Sequence, residues 1–356
     1  MGNSVASEIA NFRAEVSTAL SAFISANAAE LHLVSDDFDL VENELQTFLA
    51  GGKRLRPLFA LAGFKSISAD IPDSAITAIS ALELIQASAL IHDDLMDASA
   101  TRRGRPTIHE RFAKFHSTQK WQGDATSFGA SSAILIGNLC LVWADKMLYE
   151  SGCSDDSISA AKKYFDKLRV EVMAGQFLDV IEQNRRSANI KAIQNIVTFK
   201  TSKYTVERPL HFGAALAGAP LQVIETLSNF AQPIGEAFQY RDDLLGAFGD
   251  PTITGKPVGD DFREGKRTLL VALFHERAEH ADWMWFESIM GKADISENEV
   301  KQAQSLLFDS GVVAEVESKI ETLYLGAQTV LENSDLSTNS KTLLSELSKS
   351  ALYRTK

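Results

Sequence analysis

The chain has 356 residues, of which 45% are hydrophobic and 23% charged, the balance of a folded globular protein rather than a disordered or fibrous one. A formal net charge of -12 argues against a nucleic-acid partner, because gripping a phosphate backbone takes a surplus of cations. The two cysteines, Cys140 and Cys153, form no Cys-x-x-Cys motif, which excludes a disulfide framework or zinc site and fits a reducing, cytoplasmic compartment.

Residues 1–10 show no basic region followed by an apolar core, so no secretory leader is expected. Apolar residues then recur at spacings of three and four, as in Val41, Leu45, Phe48 and Leu49. The pattern predicts helices over 7–31, 36–50, 55–68 and 74–98, the last with Ala75, Ile79, Leu82, Ile85, Ala89 and Leu90 on its inner side. A loop is expected at 99–127, where Arg102, Arg103, Gly104, Arg105 and Pro106 gather. Helices follow over 128–150, 157–184, 190–201, 203–217 and 220–249. A second loop, 250–265, holds Pro251, Gly255-Lys256-Pro257, Gly259 and Gly265. The chain closes with helices over 266–278, 296–309, 311–333 and 338–352. Strand-type alternation is almost absent, and no repeat or low-complexity tract is visible. The longest apolar stretches are broken by polar residues, so no transmembrane span is expected. The reading is an all-α fold with no linker to divide it, a single domain over 1–356.

Two Asp-Asp pairs carry the chemical signal. The first lies in His92-Asp93-Asp94-Leu95-Met96-Asp97. Residues four apart share a helix face, so Asp93 and Asp97 project together with Asp94 alongside. Crowded carboxylates raise one another's pKa, and a helix C-terminus disfavours negative charge. Three aspartates there need cations in compensation. Magnesium takes one or two carboxylates and completes its shell with water and substrate phosphates. A diphosphate–magnesium site is the hypothesis, with a solvated acidic turn as the plain alternative. The second pair, Asp242-Asp243, closes the helix 220–249. Alone it reads equally as surface, but Gln239 shares a face with Asp243, and Phe238, Leu244 and Leu245 place the pair at a buried edge.

Gly51-Gly52-Lys53-Arg54-Leu55-Arg56-Pro57 reads as a glycine turn opening a helix with cations in its first turn, an arrangement that binds anions. It lacks the spacing of a nucleotide P-loop, and no metalloprotease, hydrolase-elbow or dinucleotide-binding motif occurs. His92 reads as a packing histidine. Gln176-Phe177-Leu178-Asp179 has two readings, hydrogen bonding to the site or a structural role. Cys140 and Met147 read as core.

Taken together, Gly51 to Pro57, Asp93-Asp94-x-x-Asp97 with Arg102-Arg103-Gly104, Gly175-Gln176-x-x-Asp179, Lys200-Thr201, and Gln239-x-x-Asp242-Asp243 with Gly255-Lys256 and Gly265-Lys266 resemble the trans-isoprenyl diphosphate synthases. The motifs occur in the family's order over about 40–275. The resemblance implies a single large helical bundle around a deep central cavity, a homodimer, and magnesium-dependent chain elongation with three ions per active site. It implies that Asp93, Asp94 and Asp97 hold magnesium bridging to an allylic diphosphate, and that Asp242 binds a further ion with Asp243 near it. Arg102, Lys200, Thr201, Gln239 and Lys256 would contact the allylic diphosphate, with Lys266 close by. Lys53, Arg56, Gln86 and Arg103, with the Gly52 backbone, would hold isopentenyl diphosphate. Gln86 stands where many relatives carry histidine.

The second motif departs from the family's Asp-Asp-x-x-Asp, because its last position is Gly246. Asp242 is expected to carry the site, position 246 to matter little, and Asp250, Asp260 or Asp261 to supply outer contacts. Product length is expected to depend on Ser88 and Ala89, one turn of about 5.4 Å before the first motif, with Leu84 and Ile85 as the floor. Small residues at 88 and 89 point to geranylgeranyl diphosphate. Two alternatives stand beside this reading, a class I terpene cyclase and a non-catalytic partner subunit. The first lacks its Asn-Ser-Glu metal motif at 239–250, and the second typically loses aspartates that are present here.

Overall fold

Phe12, Val16, Leu20, Ile24 and Ala28 recur every fourth residue and are all buried, forming the inner stripe of helix α1 (Gly2–His32). The computed structural model describes residues 2–185, 189–249, 258–292 and 294–353. It is all-α, its strand content among the described residues being one antiparallel hairpin, β1 (Thr101–Arg102) with β2 (Arg105–Pro106). The chain, expected as a single domain, gathers its contacts into two compact units, Met1–Lys162 with Phe212–Ala219, and Lys163–His211 with Pro220–Lys356.

Unit 1 adds α2 (Phe38–Leu49), α3 (Leu55–Lys65), α4 (Asp73–Met96), α5 (Ile108–Gln119) and α6 (Ala125–Tyr149). Helix α4 packs against α1, α2, α3, α5 and α6. It is buried nearly all round, from Ala75 to Ile91, as a helix enclosed by neighbours must be. By length and composition α4 and α6 are each apolar enough to cross a membrane, but α4 is mostly buried core. Helix α6 instead leaves Ile134, Leu135, Val142 and Tyr149 exposed.

Helix α7 (Asp155–Asn184) runs across the first unit boundary, and α9 (Arg208–Leu216) across the second. Unit 2 also holds α8 (Ile190–Ile196), a π-helical segment (Val197–Glu207) and α10 (Leu221–Phe248). After these come α11 (Asp260–Arg263), α12 (Leu269–Arg277), α13 (His280–Ile289), α14 (Glu297–Asp309), α15 (Val312–Glu332) and α16 (Thr338–Leu352). Helix α10 is the central element, packed on the π segment, α11, α12, α15 and α16.

Three expectations are corrected. The loop predicted over 99–127 contains β1, β2 and α5. Ile108, Phe112 and His116 stand four apart and are buried, a periodicity hidden behind the arginine-rich start. Helix α13 was placed in no predicted element, because it buries only Phe286 and Ile289. The break expected between 201 and 203 is no break, since α8 continues into the π segment and then α9.

Candidate active site

In unit 1 the glycine turn is set by Gly52, whose φ of +127° is closed to side chains, and where a Cβ would lie 3.1 Å from Arg103 Nη2. The turn therefore lies against the Arg103 guanidinium. Lys53 is exposed and Arg56 half-buried. Arg54, to which sequence reasoning gave no role, turns inward with φ 51°. It is 3% exposed, donates to Glu83 Oε2 at 2.6 Å and to Ser17 Oγ at 3.3 Å, and also bonds the Leu49 carbonyl. The available signal was Glu83 itself, a lone carboxylate inside the apolar α4, which needs a partner to be buried.

The first aspartate motif ends α4, with Asp97 at its C-cap. The three carboxylates divide. Asp94 is 1% exposed and accepts from Arg102 Nε at 2.8 Å, with Nη2 at 2.6 Å. Burial raises the Asp94 pKa from the ordinary carboxylate value, and Arg102 opposes the rise. Asp93, 3.6 Å from Arg102 Nη2, and Asp97 lie on the half-exposed side with Gln86 and Ala89. The hairpin delivers Arg102, and Thr107 fastens its base by donating to the Ser99 carbonyl at 2.8 Å. Ser88, Leu84 and Ile85 are buried, so of the proposed length-setting residues only Ala89 lies on the partly open side. His92 lies against Gly137 and meets the Ile134 carbonyl at 3.3 Å, a packing role.

In unit 2, Lys200 bonds Asp179 of the Gly175-to-Asp179 motif. Thr201 donates to Gln239 Oε1, and Gln239 Nε2 donates to Asp243 Oδ1 at 2.7 Å. Asp243 is 6% exposed. Burial first, then the charge of Asp261, push its pKa well above the ordinary carboxylate value. Asp242, its neighbour, is half-buried. Lys266 pairs with Glu264 and lies 3.7 Å from Asp261. Lys256 and Asp250 fall outside the described residues.

Gly246 is not simply a lost carboxylate. A Cβ there would lie 2.0 Å from Asp261 Oδ2, so the Asp261 carboxylate occupies the space a side chain at 246 would enter. The Asp261 carboxylate is the end of a side chain and can swing aside from an added Cβ, so the cost of restoring the family's aspartate lies in its charge beside Asp243 and Asp261. Gly246→Asp is expected to cost about tenfold in kcat/KM, about 1.4 kcal/mol, and Gly246→Ala little. Wild-type kinetics for Gly246→Asp would show that the added charge is accommodated.

Among the described residues no three His, Cys, Asp or Glu side chains already form a metal cage. Asp93 and Asp97, a turn apart and accessible, nonetheless fit magnesium, which takes few carboxylates and completes its shell from water and phosphate.

The polyprenyl synthetase family profile matches residues 39–307, and the chain belongs to that family. The fold is similar to that of the geranylgeranyl pyrophosphate synthase of Corynebacterium glutamicum, solved with isoprenyl diphosphate and magnesium. The TM-score is 0.93 at 37% identity, covering 96% of this chain and 98% of that one. The geranylfarnesyl diphosphate synthase of Aeropyrum pernix is 33% identical over 279 residues, 77% of this chain and 81% of the relative. The (2E,6E)-farnesyl diphosphate synthase of Mycobacterium tuberculosis is 34% identical over 220 residues, 62% of this chain and 56% of the relative. The chain is thus a prenyl-transferring enzyme by family.

Proposed function

We propose that the protein condenses isopentenyl diphosphate with an allylic diphosphate to give a longer all-trans prenyl diphosphate, with magnesium as cofactor. The observation that carries this reading is the end of α4, where Asp93 and Asp97 stay accessible while Asp94 holds Arg102 beside them. Asp93 and Asp97 would hold magnesium at the first motif, and Asp242, with Asp243 near it, at the second, three ions in all. When bound, magnesium neutralises diphosphate charge. Arg102, Lys200, Thr201 and Gln239 are assigned to the allylic diphosphate, with Lys256 and Lys266. Their cations stabilise the negative charge that grows on the leaving diphosphate as its carbon–oxygen bond breaks. Lys53, Arg56, Gln86 and Arg103 are assigned to isopentenyl diphosphate, whose double bond attacks the allylic cation. The departing diphosphate takes the released proton, so no protein base is needed, in keeping with the packing role of His92.

Geranylgeranyl diphosphate is the product we assign, from the small Ala89 on the partly open side of α4. The relatives named above differ in product name, so length rests on this residue and not on them. Labelled isopentenyl diphosphate supplied with each allylic primer, followed by chromatography of the dephosphorylated products, tests both statements. Label left unincorporated would point to a cyclase or an inactive subunit. A product ending at farnesol, or Ala89→Phe without shortening, would overturn the length assignment.

Ile134, Leu135, Val142 and Tyr149 of α6 are exposed, and Leu135, Val142 and Tyr149, seven residues apart, share one face of the helix. A second copy of the chain is the occupant we assign to it. Sedimentation of the purified protein as a monomer would refute that. A cytoplasmic location belongs to the same reading, in keeping with the free thiols Cys140 and Cys153.

A further inference from the structure

Val197–Glu207 is wound as a π-helix over 11 residues. Such winding is rare, usually confined to a single turn, and concentrates at functional sites. Something must hold this segment in it. A π-helix is broader than an α-helix, and here the room comes from two glycines. A Cβ on Gly175 of α7 would stand 2.4 Å from Lys200 N and 2.8 Å from Lys200 Cα. A Cβ on Gly235 of α10 would stand 2.3 Å from Ser202 Oγ and 2.4 Å from Ser202 Cα. Ser202, 1% exposed, donates to the Gln232 carbonyl at 3.0 Å. The residues between the glycines are thus Lys200 and Thr201, the two assigned to the diphosphate.

The C-terminal end is locked by charge. The Arg208 N–H reaches the Lys203 carbonyl, five residues back, and Pro209 has no N–H to continue the ladder. The Arg208 side chain donates in parallel to both Glu171 oxygens, at 2.7 Å and 2.9 Å, and lies 3.3 Å from Glu207 Oε1. Ser228 donates to the same Glu207 oxygen at 3.0 Å. Glu207 and Arg208 are 3% and 7% exposed, so neither contact is diluted by solvent.

We propose that Gly235, together with the Glu171–Arg208–Glu207 lock, is a positioning element for the allylic diphosphate. It acts by fixing the π register of 197–207. Rewinding that segment toward 3.6 residues per turn would rotate Lys200 away from Asp179 and Thr201 away from Gln239. The proposal rests on the assignment of Lys200 to the allylic diphosphate made above.

The test is steady-state kinetics of the full chain with each substrate varied in turn, after circular dichroism confirms folding. The variants are Gly235→Ala, Arg208→Lys, Lys200→Ala and the double variant Gly235→Ala/Lys200→Ala. Gly235→Ala is expected to raise the allylic KM by about tenfold or more, the worth of one charge-assisted contact, and to leave the isopentenyl KM within about twofold. In the Lys200→Ala background the same substitution should add little, because the group it positions is gone. Arg208→Lys keeps the charge but loses the parallel pair of bonds. It should repeat the pattern more mildly, and it carries the test if Gly235→Ala does not fold. An equal rise in both KM values, an undiminished effect without Lys200, or unchanged kinetics in Arg208→Lys would overturn the positioning role. An unchanged allylic KM in Lys200→Ala would instead overturn the assignment of Lys200, and this proposal with it. Wild-type behaviour of Gly235→Ala beside an impaired Lys200→Ala removes the positioning role alone.

Discussion

Asp93→Ala is expected to lower turnover by about a thousandfold or more, the equivalent of some 4 kcal/mol of lost charge stabilisation, with unchanged helicity. Asp93 lies on the half-exposed side of the α4 terminus, so its removal opens no cavity in the core. Its negative charge sits where a helix end disfavours it, and Arg102, 3.6 Å away, offsets this only in part because it is already paired with Asp94. The loss should therefore be catalytic. Asp94→Ala is expected to be comparably inactive by a different route, because Arg102 loses the carboxylate that orients it. Raising magnesium concentration should recover part of the activity of Asp93→Ala and none of that of Asp94→Ala. Near wild-type turnover in Asp93→Ala would sink the assignment of the first motif.

Arg54→Ala is expected to destabilise the protein by about 3–5 kcal/mol, the usual cost of removing one partner from a buried ion pair. Glu83 would be left 7% exposed with its guanidinium partner gone, and the Leu49 carbonyl would lose its donor. Lys53→Ala, one residue away and exposed, should leave stability within about 0.5 kcal/mol. Denaturation midpoints of the two variants make the comparison. The double variant Arg54→Met/Glu83→Leu should recover much of the loss, since a buried pair is often replaceable by apolar groups of similar size. Equal midpoints for Arg54→Ala and Lys53→Ala would show that the pair does not hold the turn.

The helices legible in the sequence are those with a long periodic stripe. Helix α16, predicted over 338–352, is found as Thr338–Leu352, and α4 is found within two residues of its prediction. Helix α5 escaped because Gly and Arg at 102–105 signal a loop, and a loop reading swallowed the short stripe Ile108, Phe112, His116. The π segment escaped because its winding is not a property of its own residues. It depends on Gly175 and Gly235, which lie far away in sequence and look like ordinary helix glycines. The same holds at the candidate site. Spacing put Asp93 and Asp97 on one face, and the structure keeps them there. That Asp94 turns to Arg102, and that Asp261 fills the gap at Gly246, are facts of packing that spacing does not encode.

The lock behind the π segment also sets how the protein meets acid. His211 donates no charge to it: burial first, and the adjacent Arg208 second, push this imidazole down to about 3 from its ordinary 6.5. Above pH 6.5 the folded and unfolded chains both keep it neutral, and it costs nothing. Below that value the unfolded chain takes up a proton that the folded chain refuses. Stability then drains away by up to about 1.36 kcal/mol per pH unit until pH reaches about 3. Glu171 works in the same direction. Burial alone would raise its pKa, but Arg208 and Lys203 outweigh burial and hold it below the ordinary carboxylate value, so its contribution too is lost as pH falls. Mild acid thus weakens the scaffold behind Lys200 in the same range in which the site carboxylates Asp94 and Asp243, their pKa values raised by burial, begin to take up protons, so an acidic limb in the rate profile would carry both contributions.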